Sequence, residues 1–308
     1  MIDDVITLKK LEVLLSFMEL NNLGRVSEVL GQSIVSVHRA LHSLEEGLRC
    51  PLFKRVGRNL VPLPSAHAFA SHARRALGEV DKGVRLAREA AGYGAVQLKI
   101  GSLYSLTLRC IPQLMVGLKA RKPDLHIELT TGSNKELLQG LESGRLDAVF
   151  VGIDEQFQSC ELMSVPLFDD QLYLASPSTS PYASRDGVDL LELRDEKFVC
   201  LADGFVTTAS FDRAFAVAGY APDIAVTVGD VFSLINLVSG GIGYSLLPGR
   251  VAEVSPRMAL TRLAPRFTSH QRVAALFARN RERDPNLLAL AAECRMVQWR
   301  EPAAGPRA

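Results

Sequence analysis

The sequence predicts an α/β protein with an N-terminal winged helix-turn-helix, a long linker helix and a larger region of alternating strands and helices. Three observations predict it. Residues 33–48 read as a short helix with one apolar stripe and a donor-rich opposite face, set between a shorter helix and a basic hairpin. Residues 65–91 hold no proline and repeat apolar residues in near-heptad steps. Beyond Gly92-Tyr93-Gly94-Ala95 the pattern changes to short apolar strands interleaved with helices.

Composition bounds the reading. A 308-residue chain suggests two or three units, and 47% hydrophobic residues suffice for their cores. The net charge of +1 neither announces nor excludes nucleic acid, because a large neutral domain dilutes a small basic face. No apolar run reaches the roughly 18 residues that span a bilayer, so no membrane partner is expected. Met1-Ile2-Asp3-Asp4 is acidic, unlike a secretory signal. Cys50, Cys110, Cys160, Cys200 and Cys294 are widely spaced and form no C-x-x-C pair. Free thiols in a reducing cytoplasm are therefore expected, with no zinc site and no cofactor.

In chain order, Thr7 to Asn21 reads as a helix with Leu8, Leu11, Leu15 and Met18 along one face and Val13 and Phe17 widening it. Asn22 and Gly24 would end it. Val26 to Leu30 is the next helix, and Gly31-Gln32 the break. In the following helix Val37, Leu41, Leu44 and Leu48 fall on one face, with Ser33 or Ser36 as cap. Val35, Arg39 and His42 face the other way, flanked by Ser36, His38 and Ser43. Two short helices with a tight turn fit a helix-turn-helix whose second member enters a DNA major groove. Residues 54–63 alternate and turn at Gly57, a hairpin bearing Lys54, Arg55, Arg58 and Asn59. A basic hairpin here is a wing.

In the long helix Phe69, Ala73, Ala76, Val80, Val84 and Ala87 form a thin seam over about 40 Å. Such a stripe suits a contact with a second copy of the chain; the alternative is packing on its own domain. The second region begins β-α-β-α-β: Val96–Ile100, Ile111–Arg121, Leu125–Leu129, Asn134–Ser143 and Ala148–Gly152. That order argues for a parallel sheet. Further elements run from Leu172 to Leu247, with a strand at Arg272–Phe277 and a closing helix at Pro285–Trp299. The tail, Glu301–Ala308, is expected to be disordered.

The chain resembles the LysR-type transcriptional regulators. The N-terminal match runs through Leu8, Leu11, Phe17, Leu30, Ser33, Leu44-Glu45, Leu52-Phe53, Arg55 and Leu63. The C-terminal match includes Ile111-Pro112, Pro123, Gly144-Arg145-Leu146-Asp147 and the run from Val238 to Pro248. Where most members carry Gln-Pro this chain has Ile34-Val35, and His38 stands where they have serine. The run from Ser36 to Glu46, with the wing sequence, looks like the subgroup controlling malonate utilisation. The resemblance implies a two-lobed effector domain of the periplasmic-binding-protein type. The expected organisation is residues 1–64 for the DNA-binding domain, 65–91 for the linker and 92–308 for the effector domain. Within the last, lobe 1 covers about 92–165 and 268–300, and lobe 2 about 166–267.

Arg39 and His42 are the candidates for base edges, since arginine offers guanine two parallel donors. Ile34 or Val35 suits a thymine methyl, and His38 belongs to the same surface. Ser33, Ser36, Arg55, Arg58 and Asn59 suit phosphates, which set register without reading sequence. His38 and His42 at i, i+4 have metal-ligand spacing but no third ligand nearby. For the effector, Ser102, Tyr104, Ser105 and Thr107 follow the first strand and start a helix, and Thr131-Gly132-Ser133 end the second strand in the same way. Gly204-Phe205-Val206-Thr207-Thr208 precede a helix at Ser210–Ala218 in the other lobe. Hydroxyls and amides converging from strand ends suit a small carboxylate such as malonate; the alternative is that each is an ordinary cap. Arg109 and Arg145 are possible charge partners. No nucleophile elbow, H-E-x-x-H or phosphate-loop signature occurs, so no catalytic residues are expected. A solute-binding protein would explain the second half but not the winged head. The expected partners are double-stranded DNA, a carboxylate effector and a second or further copy of the chain, with RNA polymerase as an optional addition.

Overall fold

The computed structural model describes residues 4–57, 59–91, 97–153, 157 and 159–296. They form two compact units. Among these residues no helix is long and apolar enough to cross a membrane.

The first unit is a three-helix head with a hairpin. α1 (Leu8–Leu20) starts on Thr7, whose hydroxyl accepts the Lys10 N–H. It ends on Asn21 in the left-handed region, so Gly24 stands inside α2 (Leu23–Leu30) and stops nothing. Gly31, at φ 62°, makes the turn into α3 (Ile34–Leu48). Of the two serines offered as cap, Ser33 is the one, accepting the Ser36 N–H at 3.1 Å. α1 buries Leu11, Val13, Leu14 and Phe17 while Leu8 stays 45% exposed. The face is thus centred on Leu14, which the expected stripe left out. α3 buries Val37, Leu41 and Leu44 as its period predicts.

β1 (Phe53–Val56) and β2 (Asn59–Pro62) pair antiparallel around Gly57, whose φ of 61° glycine adopts without strain. Phe53 anchors the hairpin, its ring edge-on to Phe17 with centroids 5.2 Å apart. α4 (Pro64–Ala90) begins on proline, where a missing N–H costs nothing. Ala66, Ala70 and Ala73 are buried in the head, whereas Val80 and Val84 are 43% and 49% exposed.

The second unit carries a seven-stranded sheet. β3 (Gln97–Leu103) lies parallel to β4 (His126–Gly132) and to β5 (Ala148–Ile153), with α5 (Cys110–Arg121) and α6 (Asn134–Glu142) between them in sequence. The parallel arrangement expected from the β-α-β-α-β order holds for β3, β4 and β5, and the sheet continues antiparallel beyond β5. β11 (His270–Ala278) is antiparallel both to β5 and to β6 (Leu162–Pro177). The reason is topological: β6 carries the chain out of one lobe and β11 brings it back, so the two must run in opposite senses. The first core gathers Leu98, Ile100, Phe150, Val273 and Leu276 against α5, α6 and α9 (Pro285–Met296).

The sixteen-residue β6 then continues into the second lobe, pairing with β9 (Ser245–Pro248) and β10 (Met258–Arg262). β10 has no counterpart among the elements expected from the sequence. β7 (Lys197–Leu201) and β8 (Asp223–Val228) form a parallel pair. α7 (Val206–Ala218) packs Phe211 and Phe215 edge-on against Phe198. α8 (Val231–Ser239) covers a separate cluster of Val199, Leu234, Ile235 and Leu247. The closing helix is described only to Met296, so Trp299 and the tail lie outside the described residues.

Candidate functional site

On the head, burying Val37, Leu41 and Leu44 forces the opposite side of α3 outward. Ser33, Ile34, Val35, Ser36, His38, Arg39 and His42 are all exposed. Ile34 and Val35 are 52% and 66% exposed, side by side at the start of α3. Arg39 meets no ion-pair or hydrogen-bond partner among the described residues. Ser33 and Ser36 share a hydrogen bond at 2.8 Å between their hydroxyls. His42 stands 3.5 Å from Glu45 and 3.9 Å from Glu46, so its ring has acceptors on its own helix. Arg55 and Asn59 are exposed on the hairpin, and Arg58 lies outside the described residues. No cluster of three or more metal-ligating side chains occurs among the described residues.

Glu45 has a function that the pattern did not single out. Its Oε1 accepts the N–H groups of Leu52 and Phe53 at 2.8 and 3.0 Å, tying the end of α3 to the first strand of the hairpin. Lys10 Nζ donates to Ser43 Oγ at 2.8 Å and to the Val5 carbonyl, tying α1 to α3.

In the second unit the expected effector residues fall into three groups. Ser102 is fully buried inside β3, and its hydroxyl donates to the Leu103 carbonyl at 3.1 Å. Tyr104, Ser105 and Thr107 form a short 3-10 turn and not the start of an α-helix; α5 begins only at Cys110. Tyr104 stacks edge-on to Phe232 of α8, centroids 6.5 Å apart. Thr131 is exposed, Gly132 and Ser133 buried. Ser133 forms a capping box with Glu136, whose carboxylate accepts both the Ser133 N–H and hydroxyl at 2.8 Å. Those bonds hold the Glu136 carboxyl below the usual carboxylate range. Ser-x-x-Glu was legible at 133–136. The α6 N-terminus therefore already holds an anion of its own.

α8 is likewise filled: Asp230 accepts the N–H groups of Phe232 and Ser233 at 2.9 Å. α7 differs. Its cap residue Phe205 offers no side-chain acceptor, and the nearest one, Asn134 Oδ1, takes only the Val206 N–H at 3.4 Å. Lys135 N–H donates to the Gly204 carbonyl at 3.1 Å, so the first turns of α6 and α7 meet. Thr207 is 7% exposed; its hydroxyl has no partner among the described residues and is not one of the buried polar atoms left unsatisfied, so it reaches solvent. Gly204, at φ 103°, sets up this approach. Arg109 pairs with Glu253 at 3.3 Å, and Arg145 donates to Ser143 at 3.2 Å; both are thereby engaged.

A winged helix-turn-helix head in one chain with a two-lobed α/β domain defines a class: DNA-binding regulators that respond to a small molecule. Residues 8–67 match the bacterial regulatory helix-turn-helix protein, lysR family, and residues 92–299 match the LysR substrate binding domain. The chain belongs to the LysR family of transcriptional regulators. It is 44% identical over 297 residues to the malonate utilization transcriptional regulator of Klebsiella pneumoniae, covering 96% of each chain. It is 29% identical to the transcriptional dual regulator GltC of Bacillus subtilis (strain 168), covering 82% of this chain and 84% of that one. Full-length CbnR complexed with its target DNA shares the fold at TM-score 0.62 and 22% identity, covering 94% of this chain and 99% of that one. A full-length OxyR variant from Pseudomonas aeruginosa does so at 0.59 and 21%, covering 96% and 97%. As a LysR-type regulator the chain has double-stranded DNA and a small-molecule effector as partners. The matched relatives are regulators and not enzymes. The solute-binding alternative, which has no use for the head, is not favoured.

Proposed function

We propose that this regulator controls a metabolic operon in the cytoplasm, without catalytic activity, by coupling a small carboxylate such as malonate to operator binding. In this reading Arg39 and His42 meet base edges, and Ile34 or Val35 a thymine methyl, with His38 beside them. Ser33, Ser36, Arg55, Arg58 and Asn59 hold phosphates. The continuous exposure of one α3 face, with Arg39 unpaired among the described residues, supports that assignment. The exposed Val80 and Val84 support the 65–91 helix as the contact between copies. The 1–64, 65–91 and 92–308 division, with the lobes as given above, belongs to the same proposal.

The observation that carries the effector site is the contrast among three helix starts. Glu136 and Asp230 occupy those of α6 and α8, while α7 keeps amide donors and the Thr207 hydroxyl for something else. The effector would lie among Ser102, Tyr104, Ser105, Thr131, Gly132 and Ser133 of one lobe and Phe205, Val206 and Thr207 of the other. The malonate-utilisation regulator of Klebsiella pneumoniae supports malonate as the first carboxylate to try. Regulation requires that the effector bind two arrangements of the protein with different affinity. The test is titration calorimetry of the full chain with malonate, beside a gel shift on upstream intergenic DNA. Heat from malonate and an effector-dependent shift are expected. A Ser102→Ala/Thr131→Ala variant that keeps the whole response would refute the site.

A further inference from the structure

One buried cation stands beside the lobe-crossing strands, and neither charge candidate from the sequence, Arg109 or Arg145, is it. Arg250 follows β9 on a 3-10 turn, with its side chain only 7% exposed. Its Nε–H donates to Ser105 Oγ at 2.8 Å, and its Nη1 donates to Asp170 at 3.0 Å and to Gln271 Oε1 at 3.4 Å. Gln271 in turn donates to Ser210 of α7 at 3.4 Å, one turn on from Thr207. The guanidinium thus joins the turn after β3, the strands β6 and β11, and the helix whose start carries no acid.

Two features make this more than a buried ion pair. A guanidinium has five N–H donors, and the two on Nη2 meet no acceptor among the described residues. Nη2 is not among the buried polar atoms that lack a partner, so it keeps access to solvent, and a carboxylate oxygen reaching it gains a charge-assisted bond. Asp170 also does not rely on Arg250 alone. Its carboxylate accepts the N–H groups of Gln171 and Gly249 at 2.9 Å and of Arg250 at 3.2 Å. Part of its charge is answered by backbone, which leaves the guanidinium attractive to a second anion. Gly249 permits this closeness: a Cβ there would stand 3.0 Å from Asp170 Oδ1 and 2.9 Å from the Tyr173 ring.

We propose that Arg250, through Nη2, is the charged donor that binds a carboxylate of the effector, with Asp170, Ser105 and Gln271 holding its guanidinium in position. This rests on the carboxylate reading above and names the residue that enforces it. Selection then follows from chemistry. A carboxylate satisfies the two donors, and a neutral amide of the same shape gives only an uncharged acceptor.

The test uses the full chain, with malonate and its monoamide, malonamate, as calorimetric probes, for wild type, Arg250→Lys and Arg250→Gln. Arg250→Lys keeps a cation beside Asp170 and so protects the fold; thermal melting identifies the variants that remain folded. Expected is wild-type binding of malonate, and a loss of roughly 10- to 100-fold in each folded variant, the equivalent of one charged hydrogen bond. Malonate should lose more than malonamate, a difference that a purely structural role would not produce. A folded variant that binds malonate within about threefold of wild type overturns the Arg250 assignment and leaves the carboxylate reading standing. Wild type that binds no carboxylate overturns both.

Discussion

Replacing Glu45 by alanine should loosen the wing from the recognition helix. The carboxylate accepts two backbone N–H groups, from Leu52 at 2.8 Å and Phe53 at 3.0 Å, at the point where the chain enters β1. Hydrogen bonds to charged groups contribute about 1.5–3 kcal/mol each. Glu45 is 23% exposed, so water recovers part of that, and a net loss of about 2 kcal/mol is expected. In a unit of this size each kcal/mol shifts the melting temperature by roughly 4–8 °C, which puts the drop near 8–16 °C. Glu45→Gln keeps an acceptor in place without the charge and should cost about half as much. Thermal unfolding followed by circular dichroism reads the first effect. Anisotropy on labelled operator reads the second, weaker DNA binding with Arg39 and Arg55 untouched. If Glu45→Ala melts within about 2 °C of wild type and binds operator equally well, the two amides are satisfied by water and the tie contributes nothing.

Other expectations follow from the same geometry. Arg39→Ala should weaken operator binding by about 1–3 kcal/mol and reduce selectivity over unrelated DNA, measured by competition anisotropy. Arg55→Ala should weaken all sequences alike and lower the salt slope of binding by about one, read from affinity against salt concentration. Arg281 is 12% exposed and paired with fully buried Asp147, so Arg281→Ala should cost about 3–5 kcal/mol by urea titration. Burial pushes the Asp284 carboxyl up, but Arg281 and the N–H groups of Asn286 and Leu287 outweigh it and hold the group below its ordinary value. That contribution is present above the unfolded-state value of about 3.9 and fades as pH falls through the lower folded one. Acid titration of Arg281→Ala should show less of this loss than wild type.

The head was readable because its information is local. Gly31 and Ser33 punctuate the two helices, and the 3.6-residue period of Val37, Leu41 and Leu44 fixes which side of α3 faces out. Leu14 was passed over because α1 is apolar on several sides, and period alone does not choose among Leu8, Leu11, Leu14 and Leu15. In the second unit, β5 is a continuous apolar run buried along its whole length, whereas Met258–Arg262 is short and not regularly alternating in burial. The Arg250 group was invisible for another reason. Asp170, Arg250 and Gln271 are brought together by two strands running opposite ways, and nothing near Arg250 in sequence marks it as buried. Helix-start hydroxyls were easy to find but hard to rank, since Glu136 and Asp230 decide which starts are already taken.

The passage of β6 and β11 between the lobes limits how this domain can move. At the crossing, Gln171, Asp170 and Asp169 lie opposite His270, Gln271 and Arg272, and the register slips between Val273 and Ala274. Two paired strands form a ribbon, which resists stretching along its length but accepts extra twist, most readily at an irregularity. Sliding one lobe past the other would break several rungs of this ladder at once; rotating it about the ribbon breaks none. The ribbon therefore favours rotation of one lobe over sliding, within what the bonds from Lys135 to Gly204 and from Arg109 to Glu253 allow.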